Sequence, residues 1–182
     1  MSDTRPGRAL EGRLVRLRAF EPADFPALNT LYNDIEVGAG VGMAFPQPVA
    51  GFREYVDGAR GKPDQVTFAI ETLDGRSAIG GCSLFDVGAP SRAALLGIWI
   101  GKPHWDKGYG TDAVRALCRF GFRHMNLQRI ELNVFATNPR AVRAYEKVGF
   151  RVEGTRRRSQ FVGGGYVDSL LMGLLAEELL EE

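Results

Sequence analysis

The chain has 182 residues, 45% of them hydrophobic and 25% charged, which suits one globular domain with a sizeable core. A formal net charge of +1 gives no global electrostatic case for nucleic acid or a membrane surface as partner. No apolar run is long enough for a membrane span, the first eight residues lack the apolar core of a signal peptide, and the two cysteines, Cys82 and Cys118, lack metal-ligand spacing. A cytoplasmic protein without metal, whose cysteines are core thiols, is the expectation.

Residues 1–10 read as a mobile tail, 11–176 as one domain, and 177–182 as a short acidic tail. The run 13–18 alternates polar and apolar side chains, apart from the Leu14-Val15 step, and predicts a half-buried strand. Glu21, Pro22 and Asp24 then open a helix whose apolar positions are Phe25, Leu28, Leu31 and Tyr32. Segment 37–48 holds three glycines and two prolines, with Met43 and Phe45 among them, and predicts a loop. Phe52, Tyr55 and Val56 fit a second helix.

Three strands are expected next. Residues 66–71 are rich in β-formers, Asp74-Gly75 signals a hairpin, and 77–85 returns, with Gly80-Gly81 marking a bulge or a close backbone approach. Residues 93–100 alternate little, so both faces of that strand are expected to be covered. An amphipathic helix follows from Asp112. Ala113, Val114, Leu117, Gly121 and Met125 lie on one side of it, and Arg115, Arg119 and Arg123 on the other; Asn126 ends it. Residues 129–135 form another strand. Asn138-Pro139 caps and starts a further helix, which Gly149 ends. The last strands are 150–153 and 166–175, joined by a polar stretch with Arg156, Arg157, Arg158 and three glycines. This order fits a mixed sheet with helices on both faces.

Between the strand 93–100 and the following helix lies Lys107-Gly108-Tyr109-Gly110-Thr111. A strand, a glycine turn and a helix start direct backbone N–H groups toward an anion. Thr111 is placed to cap the helix through its hydroxyl. A bare G-x-G also occurs for turn geometry alone.

The residues from Ile98 through Trp99, Ile100, Trp105 and the glycine turn to Ala113 resemble the acyl-CoA-binding segment of GNAT-type N-acetyltransferases. The residues from Asn133 through Asn138, Arg140, Tyr145 and Lys147 to Phe150 resemble that superfamily's second conserved segment. The pair, in this order, is far more specific than either segment alone. Tyr145-Glu146-Lys147-Val148-Gly149-Phe150, followed by Gly154, Arg156 and Asp168, is similar to the branch with ribosomal-protein N-terminal acetyltransferases and spermidine acetyltransferases.

The resemblance implies an α/β (α+β) fold: a mixed, mostly antiparallel twisted sheet of about seven strands with about four helices. It implies acetyl-CoA as co-substrate. The N–H groups of Lys107 to Thr111 would hold the pyrophosphate, and the strand around Ile98 and Ile100 would pair with the pantetheine amides. For that pairing, the strand ending near Phe135 must splay away. Asn138 would contact the pantetheine arm, and Lys147 and Trp105 fall within the donor-binding segments. Read alone, Trp99 and Trp105 are packing residues. A backbone N–H near Ile98 or Trp99 would stabilise the oxyanion, and Tyr145 would protonate the leaving thiolate.

Relatives in this branch often carry Glu at the position of Leu95, so the usual general base is missing. Asp86, Glu71, Glu131 or a water chain are the substitutes. His104 is another candidate base, or simply a turn histidine beside Trp105. His124, late in a helix, complements its dipole. Arg156, Arg157 and Arg158 would reach a phosphate or an acidic substrate, or stay solvated, and Asp168 would orient an amine or pair with an arginine. The expected acceptor is a primary amine on a small molecule or a protein N-terminus, the chain being a monomer or homodimer. Segment 37–48 lacks carboxylates, which counts against a polyamine. The competing reading is an acyl-CoA sensor of this fold with little catalysis; a dinucleotide-binding domain is disfavoured by the antiparallel meander before the loop.

Overall fold

A computed structural model describes residues 9–42, 45–59 and 61–181. The expected N-terminal tail up to residue 8, Met43 of the expected loop, and Glu182 lie outside them. In chain order the elements are β1 (Val15–Arg18), α1 (Phe25–Tyr32), α2 (Ile35–Gly40), α3 (Val49–Ala59), β2 (Val66–Thr72), β3 (Ala78–Gly88), β4 (Ala93–Ile100), α4 (Tyr109–His124), β5 (Arg129–Phe135), α5 (Pro139–Glu146), β6 (Arg151–Val162) and β7 (Gly165–Leu175). The seven strands form one sheet in the order β1-β2-β3-β4-β5-β7-β6. Every neighbouring pair is antiparallel except β4 and β5.

Apolar residues collect in two clusters. The larger joins Val15, Leu17, Ile70 and Ile130 to Ala113, Val114 and Leu117 of α4. The smaller joins Phe25 and Leu28 of α1 and Phe52 and Val56 of α3 to Ala69. Ala69 and Ile70 are consecutive in β2 and point to opposite faces. The clusters therefore lie on the two sides of the sheet, as the helix pattern requires. The arginine row of α4 is anchored rather than merely solvated. Arg119 and Arg123 pair with Glu181, and Arg115 donates to the Leu180 carbonyl at 2.8 Å. The acidic C-terminal stretch is thereby docked on α4.

The meander is as expected. A bulge sits at Ile79, since Ile70 faces Gly80 while Glu71 faces Ala78. Gly80 also shows the close approach: a Cβ there would lie 2.2 Å from the Trp99 carbonyl oxygen.

Three expectations need correction. Segment 37–48 is helical up to Gly40, because Asp34 caps α2 by accepting from the N–H groups of Glu36 and Val37 at 2.9 and 3.3 Å. That cap outweighs the helix-weakening glycines. Helix α4 starts at Tyr109, not Asp112, so Thr111 lies inside its first turn and is no cap; Gly108 holds the cap position instead. The stretch 156–162 is strand, not connection. β6 is an edge strand, exposed along nearly its whole length, so burial leaves no alternation to read in the sequence; its pairing with β7 defines it. A shift in that pairing after Arg156 bends the strand, and Asp168 accepts from the Arg158 N–H at 2.8 Å there. With α2, the described residues hold five α-helices.

Candidate active site

The site begins with a parting of two strands. β4 pairs with β3 from Ala93 to Ile100, but with β5 only through Ala93, Ala94 and Leu95, opposite Arg129, Ile130 and Glu131. β5 instead follows β7 through to Phe135. Beyond Leu95, one edge of β4 therefore has no strand partner among the described residues, and a cavity of about 730 Å³ opens there. This is the splay that the strand ending at Phe135 was expected to show. A backbone edge left unpaired inside a cleft is a template for the amides of an extended ligand.

At one end of the cleft stands the first turn of α4. Gly108 has φ 83°, a left-handed conformation that glycine adopts without strain. The first helical bond is Asp112 N–H to the Gly108 carbonyl, at 3.0 Å. The N–H groups of Tyr109, Gly110 and Thr111 precede it and have no intrahelical acceptor. All three residues line the cleft, as does Gly108. Free N–H groups at a helix N-terminus, with the helix dipole behind them, are an arrangement that can receive an anion. Lys107 does not line it; its ammonium donates to the Pro103 carbonyl at 2.9 Å.

The opposite wall comes from α5. Asn138 caps this helix by accepting from Ala141 N–H at 3.1 Å, and it also lines the cleft. The amide nitrogen of Asn138 remains available for a ligand carbonyl. Tyr145 lines the cleft two turns later, with its ring edge-on to Phe150 at 5.8 Å. Its hydroxyl has no hydrogen-bond partner among the described residues. Burial, with Cys118 nearby, pushes its pKa up to about 12, so the hydroxyl keeps its proton across the neutral range. Lys147 reaches the same cavity near the C-terminus of α5.

Ile98, Trp99, Ile100 and Trp105 also line the cleft. The Trp99 ring packs against Tyr32 and Phe52, at 4.9 and 6.0 Å between centroids. Trp105 donates its indole N–H to the Ile100 carbonyl at 2.7 Å. Both tryptophans thus pack, as expected, and Trp105 also fixes the end of the β4 edge. Thus every expected site residue except Lys107 meets at one cavity.

The candidate bases separate sharply. Glu71 is buried on β2 with Arg16 and Arg18. Glu131 is held by Arg129 at 2.6 Å, and Asp86 sits in a bulge at φ 54°. None of the three lines the cleft, whereas His104 does. Burial first, and Lys107 second, push the His104 pKa below 6.5, so the imidazole is neutral and able to accept a proton at neutral pH. Arg156 to Arg158 stay outside the cavity, although Gln160 of the same strand reaches it. His124 stacks on Phe120 at 5.5 Å, and Cys82 and Cys118 are buried free thiols, with pKa values raised by burial.

The sequence reading missed four charged lining residues: Glu36, Asp106, Arg140 and Arg143. Glu36 pairs with Lys102, which does not line the cleft. The Arg140 guanidinium lies 3.4 Å from the Trp105 ring centroid. The Asp34 cap motif is the signal that would have placed Glu36 on a helix.

Among the described residues, no group of three or more His, Cys, Asp or Glu is set to hold a metal, and no helix is long and apolar enough to cross a membrane. Residues 14–151 match the Acetyltransferase (GNAT) domain. The spermidine N(1)-acetyltransferase of Vibrio cholerae is 28% identical over 168 residues, covering 90% of this chain and 94% of that protein. YdaF of Bacillus subtilis, provisionally named a ribosomal N-acetyltransferase, is 28% identical over 169 residues, covering 90% of this chain and 92% of that protein. A crystal structure of spermidine N-acetyltransferase from Vibrio cholerae, in complex with CoA and spermine, superposes with a TM-score of 0.83 at 26% identity, covering 90% of this chain and 96% of that one. The parted strands, the glycine turn and the matched sequence therefore agree: this chain belongs to the GNAT family of N-acetyltransferases.

Proposed function

We propose that the protein transfers the acetyl group of acetyl-CoA to a primary amine, of a small molecule or a peptide N-terminus, by direct attack. The observation that carries this reading is the unpaired β4 edge beyond Leu95, with the α4 turn and Tyr145 on the same cavity. The turn residues Gly108 to Thr111 hold the diphosphate, and the β4 edge pairs with the pantetheine amides.

The neutral amine attacks the thioester carbon, a C–N bond forms, and the C–S bond then breaks. A backbone N–H of Ile98 or Trp99 stabilises the oxyanion of the tetrahedral intermediate. Tyr145 gives its proton to the departing thiolate. A free thiol has a pKa of ~8.5, so the donor needs placement more than acidity. His104 takes the proton released by the attacking nitrogen, directly or through one water. It is the one base candidate named from the sequence that lines the cleft.

The test is CoA thiol release from acetyl-CoA with a panel of primary amines, with mass spectrometry of the products. Acetylated amine accumulating with the released thiol supports the reading. Binding of acetyl-CoA with no turnover on any amine supports an acyl-CoA sensor instead.

A further inference from the structure

Arg140 has no anionic partner among the described residues. It is half-buried, lines the cleft, and has neither an ion pair nor a hydrogen bond among the described residues. The surrounding charges are Asp106 and Glu36, which favour its charged form only from a distance, and Glu36 is engaged by Lys102. Partial burial of a charge costs free energy unless something compensates it.

The Trp105 ring supplies part of that compensation, with the guanidinium 3.4 Å from its centroid. Trp105 is itself fixed by the 2.7 Å bond from its indole N–H to the Ile100 carbonyl. A ring against one face sets the plane of the guanidinium and leaves its in-plane N–H groups unused. Trp105 leads directly through Asp106 into the turn whose Tyr109, Gly110 and Thr111 N–H groups also lack acceptors. One rim of the cleft therefore carries a fixed planar cation and a helix N-terminus, both waiting for an anion.

We propose that Arg140 binds the diphosphate of the acyl donor together with the α4 turn, with Trp105 as the shelf that fixes its plane. This rests on acetyl-CoA being the donor. The anion is a phosphate ester, because a planar fork of donors matches two oxygens of such a group at once.

The test compares donors that differ in phosphate. Affinities for CoA, 3′-dephospho-CoA and pantetheine are measured by calorimetry with the wild type, Arg140→Gln, Arg140→Lys and Trp105→Leu. These titrations need no turnover, so they read Arg140 even if no amine is acetylated. Arg140→Gln is expected to weaken CoA and 3′-dephospho-CoA alike, by roughly 10- to 100-fold, and to leave pantetheine within about twofold. Arg140→Lys recovers part of the loss, and Trp105→Leu reproduces part of it. An equal loss for pantetheine overturns the proposal, making Arg140 an organiser of the cleft. A loss for CoA that vanishes for 3′-dephospho-CoA also overturns it, in favour of the 3′-phosphate. So do unchanged CoA affinities with a raised KM for the amine, which assign Arg140 to the acceptor.

Discussion

The carboxylate of Asp112 accepts the backbone N–H of Val15 at 3.0 Å, and also those of Arg13 and Leu14 at 3.0 and 2.8 Å. Asp112 is buried in the first turn of α4. One side chain thus ties the first turn of α4 to the start of the first strand. Asp112→Ala leaves three backbone donors without their acceptor and is expected to cost about 2–3 kcal/mol of stability. A lower urea midpoint with an unchanged slope is the expected sign. An unchanged midpoint would mean that water replaces the carboxylate at no cost.

Gly80 faces the β4 edge at its closest point. Gly80→Ala puts a Cβ 2.2 Å from the Trp99 carbonyl oxygen, and backbone has to move. A loss of about 1–3 kcal/mol is expected, together with weaker acetyl-CoA binding, because moving Trp99 shifts β4, whose other edge is the unpaired one. Calorimetry with CoA and thermal unfolding measure the two effects separately.

Glu71 predicts a specific acid sensitivity. Burial alone would raise its pKa, but hydrogen bonds from Arg18 and Arg16 outweigh burial and hold it below the ordinary 4.5. A depressed folded-state value means that the native protein binds fewer protons than the unfolded chain. The stabilisation is therefore present above pH 4.5 and is lost as pH falls through the lower folded value. Glu71→Gln should flatten that part of the stability profile. An identical profile in wild type and variant would assign the acid loss to other carboxylates.

The proposed acid and base predict the shape of the activity profile. With rates plotted against neutral amine, kcat/KM should rise through a pKa below 6.5, set by His104. Tyr145, raised to about 12, should add no alkaline fall in the measurable range. His104→Gln should lower the rate by about 10²–10⁴-fold and remove the acid limb. A limb that persists in this variant would point to a different base.

The donor side of this site is legible in sequence because its function depends on backbone geometry. Gly108 reports a left-handed turn, Asn138-Pro139 reports a helix start, and both hold where they were read. The strand bounds 93–100 and 129–135 hold as well, since alternation or apolar continuity follows directly from burial. Legibility ends where burial does. β6 is exposed nearly throughout, so nothing in its composition marks it as strand, and Arg156 to Arg158 looked like a loop. α2 was hidden by Gly38 and Gly40, although Asp34 two residues before Glu36 is a cap signal. The sequence carries no signal for Arg140, because its ring contact with Trp105 spans 35 positions that only the fold brings together. The choice among Glu71, Glu131, Asp86 and His104 likewise needed three-dimensional placement, since spacing carries no record of which face of a cleft a side chain reaches.

The central claim is that Tyr145 protonates the leaving thiolate at the parted strands. Steady-state thiol release and CoA affinity, measured side by side for wild type and Tyr145→Phe, test it most directly. The account predicts that kcat falls by about 10²–10⁴-fold while CoA affinity stays within about twofold. A Tyr145→Phe enzyme that keeps its kcat would contradict it.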